Sequence, residues 1–503
     1  MRRFNITFTE ILLALFFCLT FTYIAFKFFH FNLMDEWLGR GLYPGIAFFH
    51  GLDFYEPKSG PHVTLYGWAT GLFYMFSGLG GTPDQAALIA YLSNLTAIFI
   101  VLFFIFRNSV LISEAFSWSN SFEITSIISL VFVFAFLDPT TESLYRIHSD
   151  TPALFFLLLS IGFLQLFNNK QNQIYLFLLA LCLCLAFWSK LPTLPACILP
   201  IIYFTSSRKW KFCILYTMHL ITAIFLTGVF VSIYYGFSDS KFILFDHISD
   251  NKWSDRNFLF NGKDATLLSM NYFEAIPLLF RFFVLYLQHY WVLVLGILGI
   301  FSLSFSNQID SNLKFLLRSL FLSYCLTLPP CLAALAHFGS VENSLFFANF
   351  IGILSIVIGI HFLLKKFQKT IKNSAILWLI ALFLCLPTLR TAKSILLVKN
   401  SPHNQAFQYL ESGNDDVYFG WYPISHLMAN GHNYTSIEVP TWVGMTRPND
   451  ISFDKKHIPT GAKYLAICKI GYGKIMLQQY LGNLEEVDAP ESLSHWRLFK
   501  TTK

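Results

Sequence analysis

Two adjacent carboxylates, Asp35 and Glu36, sit in the run NLMDEWLGRG, directly after the first long apolar stretch of the chain. Residues 11–31 of that stretch suffice to cross a bilayer as one helix. A carboxylate costs about 3 kcal/mol at the centre of a bilayer and little in headgroup water, so the pair belongs at a membrane surface. Further chemically capable residues also lie between apolar segments. The loop YEPKSGPHVTLYGW carries Tyr55, Lys58, His62 and Tyr66. YRIHSDTPA carries Arg146, His148 and Asp150, and HFGSVENSLFF carries His337, Glu342 and Asn343. Lys190, in FWSKLPTLP, ends another apolar stretch. A carboxylate beside an acceptor hydroxyl can take its proton or orient it. Cations in a dry cleft can neutralise a departing phosphate.

Each group also has a plain structural reading. Acidic residues are favoured at helix N-termini, so Asp35 and Glu36 could cap the segment that follows them. Arg146, His148 and Asp150 could form a loop ion pair, and Lys190 at a helix end could snorkel to the headgroups. His337 and Asn343 could be ordinary loop polars. What separates these readings is where the elements of the chain put the residues.

The composition is that of a multi-pass membrane protein. Of 503 residues, 55% are hydrophobic and only 13% charged, with a mean hydropathy of +0.54; a soluble domain carries about 25% charged residues. Aromatics reach 18%, with 57 Phe, which suits helices that face or bind lipid. The net charge of +6 is small for the length. Its basic residues cluster in short loops, a pattern that reports membrane orientation and not nucleic-acid binding. Arg2 and Arg3 precede the first apolar stretch and no small-residue cleavage site follows it, so a retained signal anchor is expected. Eight of the nine cysteines lie in apolar segments and Cys468 lies in the polar tail, with neither a disulfide framework nor zinc-type spacing.

Hydropathy predicts about eleven spans, near 11–31, 86–106, 122–138, 151–167, 173–190, 193–206, 212–236, 282–304, 315–336, 345–364 and 374–390. With Arg2 and Arg3 inside, Arg107, Lys170, the run SSRKWK, Lys314 and the run KKFQKTIK all fall in inward loops. This parity requires that 65–79, which is short and holds Gly67, Gly71 and Gly78, lie at the interface and not cross. Residues 1–390 then form a transmembrane unit, and 391–503 a small outer α/β domain. Within it NQAFQYLES reads as a helix, and DVYFGWY, AKYLAIC and SHWRLFK as strands. A sequon at Asn94 falls inside a predicted span and is read as fortuitous. On this topology every group named above faces outward. Carboxylates and cations thus gather on one side, in separate loops that a bundle can bring together. A lipid-linked sugar phosphate would need both, with apolar surface for its tail.

In order, the chain has a first span, an acidic pair, a P…LYGW juxtamembrane helix, an R-x-H-x-D outer loop, a G-S-x-x-N loop before a late span, and a soluble C-terminal domain. This arrangement resembles the GT-C superfamily of polytopic membrane glycosyltransferases. Among bacterial members it is similar to the lipid A aminoarabinose transferases and the protein O-mannosyltransferase-like enzymes. The resemblance spans most of the chain and rests on order and topology, since its motifs are short. It implies an inverting transfer of a sugar from a polyprenyl-phosphate donor to an acceptor hydroxyl on a lipid, glycan or protein, at the outer face of the inner (plasma) membrane. In MDEW, Asp35 takes the place of the family's catalytic carboxylate and Glu36 an assisting one. The second-loop RPD-like motif maps to Arg146 and Asp150, with His148 as an unusual neighbour. The family's Lys-Pro-Pro phosphate motif is replaced here by KSGPHVTLY, so Lys58 or His62 would join Arg146 and Lys190 at the donor phosphate. Tyr55, Tyr66, His148, Asp150, His337 and Asn343 would line the substrate site. Some relatives use a divalent ion and others do not; oxygens of Asp35, Glu36 and Asp150 would suit Mg2+ or Mn2+.

Two other functions compete. A transporter or lipid-linked glycan flippase normally keeps ionisable groups near the bilayer midplane, and these spans are nearly free of them. An O-antigen polymerase or ligase normally has its long acceptor-handling loop late among the spans, whereas this acidic pair comes early. A non-enzymatic scaffold would leave Asp35, Arg146 and Asp150 unexplained.

Overall fold

The computed structural model describes residues 38–51, 68–110, parts of 124–145, 146–234, 252–255, 266–337, 342–367, 401–434, 458–469 and 485–501, isolated positions within these stretches excepted. Up to residue 367 they are helical apart from one hairpin and the connections. In chain order the helices are α1 (Leu38–Phe49), α2 (Trp68–Tyr74), α3 (Pro83–Val110), α4 (Asp150–Lys170), α5 (Gln173–Ser189), α6 (Leu199–Ser206) and α7 (Trp210–Tyr234). The antiparallel hairpin of β1 (Lys252–Asp255) and β2 (Thr266–Ser269) precedes α8 (Ile276–Leu303), α9 (Ser311–Ala336) and α10 (Phe346–Phe367).

Five of these, α3, α4, α7, α8 and α9, are long and apolar enough to cross a membrane; α5, the stretch Leu191–Ser206 and α10 are shorter apolar helices. The predicted spans at 11–31 and 374–390 lie outside the described residues, and that at 122–138 is described only in part. Ile214, Ile221, Phe225 and Ile233 of α7 and Phe280, Trp291 and Leu295 of α8 are exposed. Such apolar faces suit lipid and not water. Helix α9 lies inside the bundle, packed against α3, α4, α6, α8 and α10.

Two expectations resolve at the level of the backbone. Residues 68–79 form α2 and a 3-10 turn, Met75–Leu79, about 20 Å of helix and too short for a 30 Å hydrocarbon core. The expected helix at 193–206 is instead a 3-10 segment, Leu191–Ile198, followed by α6. Pro192, Pro195 and Pro200 remove the backbone donors that a continuous α-helix would use.

The link between α4 and α5 shows how local sequence sets long-range geometry. Gln171 ends α4 in the left-handed conformation at φ 52°, its N–H donating to the Phe167 carbonyl at 2.8 Å. Asn172 then caps α5, its Oδ1 accepting from Ile174 N–H at 3.0 Å. So short a connection forces the helices antiparallel. Each is about 25–30 Å long at 1.5 Å per residue, so the start of α4 meets the end of α5.

Past residue 400 come α11 (Pro402–Glu411), β3 (Val417–Tyr418), α12 (Pro423–Asn430), β4 (Tyr464–Cys468), β5 (Glu486–Val487) and β6 (Trp496–Lys500). The sheet runs β3-β4-β6-β5, with β3 parallel to β4 and the other pairs antiparallel, Ala466 opposite Leu498. The expected helix and three strands are present, although β3 is only two residues long; α12 and β5 were not anticipated. Tyr418, Phe419, Tyr422, Leu465 and Trp496 form a second hydrophobic cluster. Ile424 and Leu427 of α12 instead join the core of the helical bundle, where α12 packs on α1 and α3. Ser401, which caps α11 by accepting from Asn404 N–H at 3.1 Å, also donates to Asp84 in the first turn of α3. The C-terminal unit therefore sits on the end of the bundle where α3 begins.

Charge is segregated along the bundle. Arg107, Lys170, Lys209 and Lys314 stand at the helix ends away from the C-terminal unit. There Lys209 Nζ and the Tyr203 hydroxyl both reach Asn168 Oδ1, at 3.5 and 2.8 Å.

Candidate functional site

At the opposite end, Asp150 opens α4 and its side chain is fully buried. Lys190 Nζ, at the end of α5, contacts Oδ1, and His148 Nδ1 lies 2.7 Å from Oδ2. The side chains of His148 and Lys190 keep 18% and 19% of their surface exposed, so the cluster is buried at its carboxylate and part-open at the imidazole and ammonium. Asp150 gains from the helix dipole as a first-turn acid and from the Lys190 ammonium, which donates to its Oδ1.

The loop that delivers His148 is fixed through its backbone. The Tyr74 hydroxyl lies 3.1 Å from the His148 carbonyl and 2.8 Å from Asn94 Oδ1, and Asn94 Nδ2 donates to the Arg146 carbonyl at 3.1 Å. Helix α1 presses on the same loop. A Cβ on Gly41 would stand 2.6 Å from the Ile147 carbonyl oxygen, and one on Gly45 would stand 2.7 Å from the Tyr74 backbone. The spacing of four puts both glycines on one face of α1, so their missing side chains set how closely helix and loop approach.

Lys190 leaves α5 in an extended conformation, φ −155° and ψ 124°, with its N–H still donating to the Ala186 carbonyl at 2.9 Å. Its own carbonyl accepts from the Thr193 hydroxyl at 2.9 Å. Backbone bonds thus aim the side chain across at Asp150. Cys331 of α9 lies fully buried within electrostatic reach of both Lys190 and Asp150, against the backbone of Phe347 and Ala348 in the first turn of α10.

Of the residues singled out in the sequence, His148, Asp150 and Lys190 meet, and Arg146 stands exposed on the same loop. His337 caps the same end of α9, where its backbone bridges to Trp253 of β1, with the two rings 6.4 Å apart. Trp253 is itself buried, its indole N–H donating to the Met270 carbonyl at 2.9 Å. Asn343 lies in the 3-10 turn Glu342–Leu345 that leads into α10. Asp35, Glu36, Tyr55, Lys58, His62 and Tyr66 lie outside the described residues; in sequence, Glu36 stands two positions before α1.

No protein-family model matches the chain, and no curated protein matches it. Among solved structures, the apo state of ArnT from Cupriavidus metallidurans aligns with a TM-score of 0.41 and 14% identity, over 80% of this chain and 68% of that one. The same protein bound to undecaprenyl phosphate aligns with a TM-score of 0.44 and 12% identity, over 86% of this chain and 72% of that one. The chain is similar in structure to ArnT.

Among the described residues no group of three or more His, Cys, Asp or Glu could hold a metal ion. Asp150, with one oxygen against an ammonium and the other against an imidazole, does not fit as a metal ligand. What the arrangement offers is cationic chemistry. Lys190, part-exposed, is held by a buried counter-charge, and Arg146 stands exposed nearby in the chain, which suits an anionic group arriving from outside.

Several residues of this end were not singled out from sequence. Tyr74 and Asn94 hold the His148 loop, and Asp138, Thr140 and Asn349 form a second polar group. The signal that could have found them is a polar side chain inside an apolar span, as at Asn94 and Asn349.

Proposed function

We propose that this chain is an integral membrane glycosyltransferase. It would move one sugar, with inversion, from a polyprenyl-phosphate donor to a hydroxyl of a lipid, glycan or protein acceptor. On this reading residues 1–390 form the membrane-embedded unit and 391–503 an outer domain, both serving a site on the extracytoplasmic face of the inner membrane. The observation that carries the proposal is the buried Asp150 with Lys190 and His148 on its two oxygens, at the membrane end that bears the C-terminal unit.

The division of labour follows from charge. Lys190 and Arg146, with Lys58 or His62, would hold the donor phosphate and stabilise it as it leaves. A phosphodiester-linked phosphate is already a good leaving group, so a strong general acid is unnecessary. Asp35, assisted by Glu36, would take the proton of the acceptor hydroxyl. Asp150 would keep Lys190 and His148 in place, while Tyr55, Tyr66, His337 and Asn343 would shape the substrate cavity.

The test uses purified protein in lipid with a panel of radiolabelled polyprenyl-phosphate sugars, following sugar release to water or to added acceptor. Wild type is expected to turn over at least one donor, and a folded Asp35→Asn variant to lose turnover by about a hundredfold or more. Equal turnover in both would remove Asp35 from the chemistry. Movement of the lipid across the bilayer without sugar release would replace the transferase with a flippase.

A further inference from the structure

Helix α12 has two sides with different attachments. On one, His426 belongs to the C-terminal unit: its Nε2 accepts from Phe419 N–H at 3.0 Å, and its ring lies 5.7 Å from that of Tyr418. Ser425 ties the helix to α11, its hydroxyl donating to the His403 carbonyl at 2.9 Å. On the other side, Ile424 and Leu427 stand three residues apart and share a helix face. Both are buried in the core of the bundle, where α12 packs on α1 and α3. A part of the C-terminal unit is thus built into the helical one.

Helix α1 has little room to absorb a push from that direction. Leu42, Tyr43, Ile46 and Ala47 are wholly buried. Its glycine face lies against backbone, at Gly41 against the Ile147 carbonyl and at Gly45 against the carbonyl of Tyr74. Backbone cannot turn aside as a side chain can, so in a close-packed interior a shift of α1 becomes a shift of Ile147 and Tyr74. Both flank His148: Ile147 is its chain neighbour, and the Tyr74 hydroxyl lies 3.1 Å from its carbonyl. His148 Nδ1 is in turn 2.7 Å from the carboxylate that holds Lys190. Covering apolar surface is the plain reading of Ile424 and Leu427. That reading leaves the glycine face of α1 without a reason, since a helix can be covered without backbone contact.

We infer that Ile424 and Leu427 are positioning residues for the donor phosphate: they hold α1 against the loop that carries Arg146 and His148, and so fix where that loop meets Asp150 and Lys190. This rests on the glycosyltransferase reading. The C-terminal unit then acts on donor binding through α1, without touching the donor. A small misplacement of a binding group is enough to cost one to two orders of magnitude in function.

The experiment compares wild type, Leu427→Ala and Leu427→Met in lipid by donor kinetics and by amide hydrogen exchange. Leu427→Ala is expected to raise KM for a polyprenyl-phosphate sugar about tenfold, with a smaller change in kcat. Exchange over 146–153, where Ala153 N–H bonds to the Ser149 carbonyl at 3.2 Å, should quicken by about tenfold. Strands β4 and β6 and helix α7 should exchange as in wild type. Leu427→Met, which conserves volume, should restore both properties. Should Leu427→Ala fail to fold, Ile424→Val removes one methyl group from the same side and gives the same comparison at smaller amplitude. Exchange over 146–153 that stays at the wild-type rate overturns the inference, because α12 then only covers α1. Exchange that quickens equally in β4, β6 and α7 marks general destabilisation and also overturns it. A fall in kcat at unchanged KM does the same, since loss of folded protein lowers kcat and leaves KM alone. Absence of turnover with any donor sinks the transferase reading, and with it the assignment to a donor, whereas unaltered exchange sinks the inference alone.

Discussion

Asp150 and Lys190, forty residues apart in sequence, meet as an ion pair with a fully buried carboxylate where one helix of an antiparallel hairpin begins and the other ends. Replacing Lys190 by Ala takes away a charge that faces a fully buried carboxylate, a loss of about 3–5 kcal/mol. Adding Asp150→Asn to Lys190→Ala should restore most of that stability, because the exposed cost is the unbalanced charge. Thermal unfolding in detergent, run as a double-mutant cycle, reads the coupling. Additive losses would show that the two residues do not depend on each other.

Gly41 is expected to be intolerant of even one methyl group. Its Cβ would stand 2.6 Å from the carbonyl oxygen of Ile147, which is backbone and cannot rotate away. Gly41→Ala should cost about 1–3 kcal/mol and displace the loop that carries His148. Gly228→Ala, where nothing lies within 4 Å of the added atom, should stay within about 0.5 kcal/mol of wild type. If the two variants melt alike, the close approach of helix and loop has no energetic weight.

The C-terminal unit should weaken in mild acid. His426 is buried, its Nε2 accepting from Phe419 N–H at 3.0 Å, and burial together with nearby His432 pushes its pKa from 6.5 down to about 3. The unfolded chain binds a proton there that the folded chain refuses. The stability linked to this residue is therefore complete above pH 6.5 and falls as the pH drops from there toward 3. Trp496, packed on Phe419 with ring centroids 4.8 Å apart, offers a fluorescence readout of unfolding against pH. His426→Gln should flatten the acid limb between those values; an unchanged limb would assign it to other groups.

Much of this was legible in the chain because local signals carried it. Long apolar runs and basic loops suffice to place Arg146, His148, Asp150 and Lys190 at one end of a bundle. The supports of that site were not legible, because each depends on a partner far away. Asn94 looks like a stray sequon until it is seen 52 residues from its partner, holding the Arg146 carbonyl. Asn349 and Thr140 are 209 residues apart, and nothing near either one announces the other. Helix α12 escaped notice for a similar reason. Its eight residues start on a proline and carry a weak pattern, and its apolar side acquires meaning only against α1.

That packing also has a consequence for the order in which the molecule is made. Helix α1, which directly follows the acidic pair, is pressed by Ile147 on its glycine face and packs against α12. Ile424 and Leu427 leave the ribosome nearly four hundred residues after α1 does. Until they arrive, part of the apolar surface of α1 has no permanent cover. The segment next to the acidic pair can settle only after α12 has been made, so a chain that stops before α12 would carry the acidic pair without the helix contact beside it.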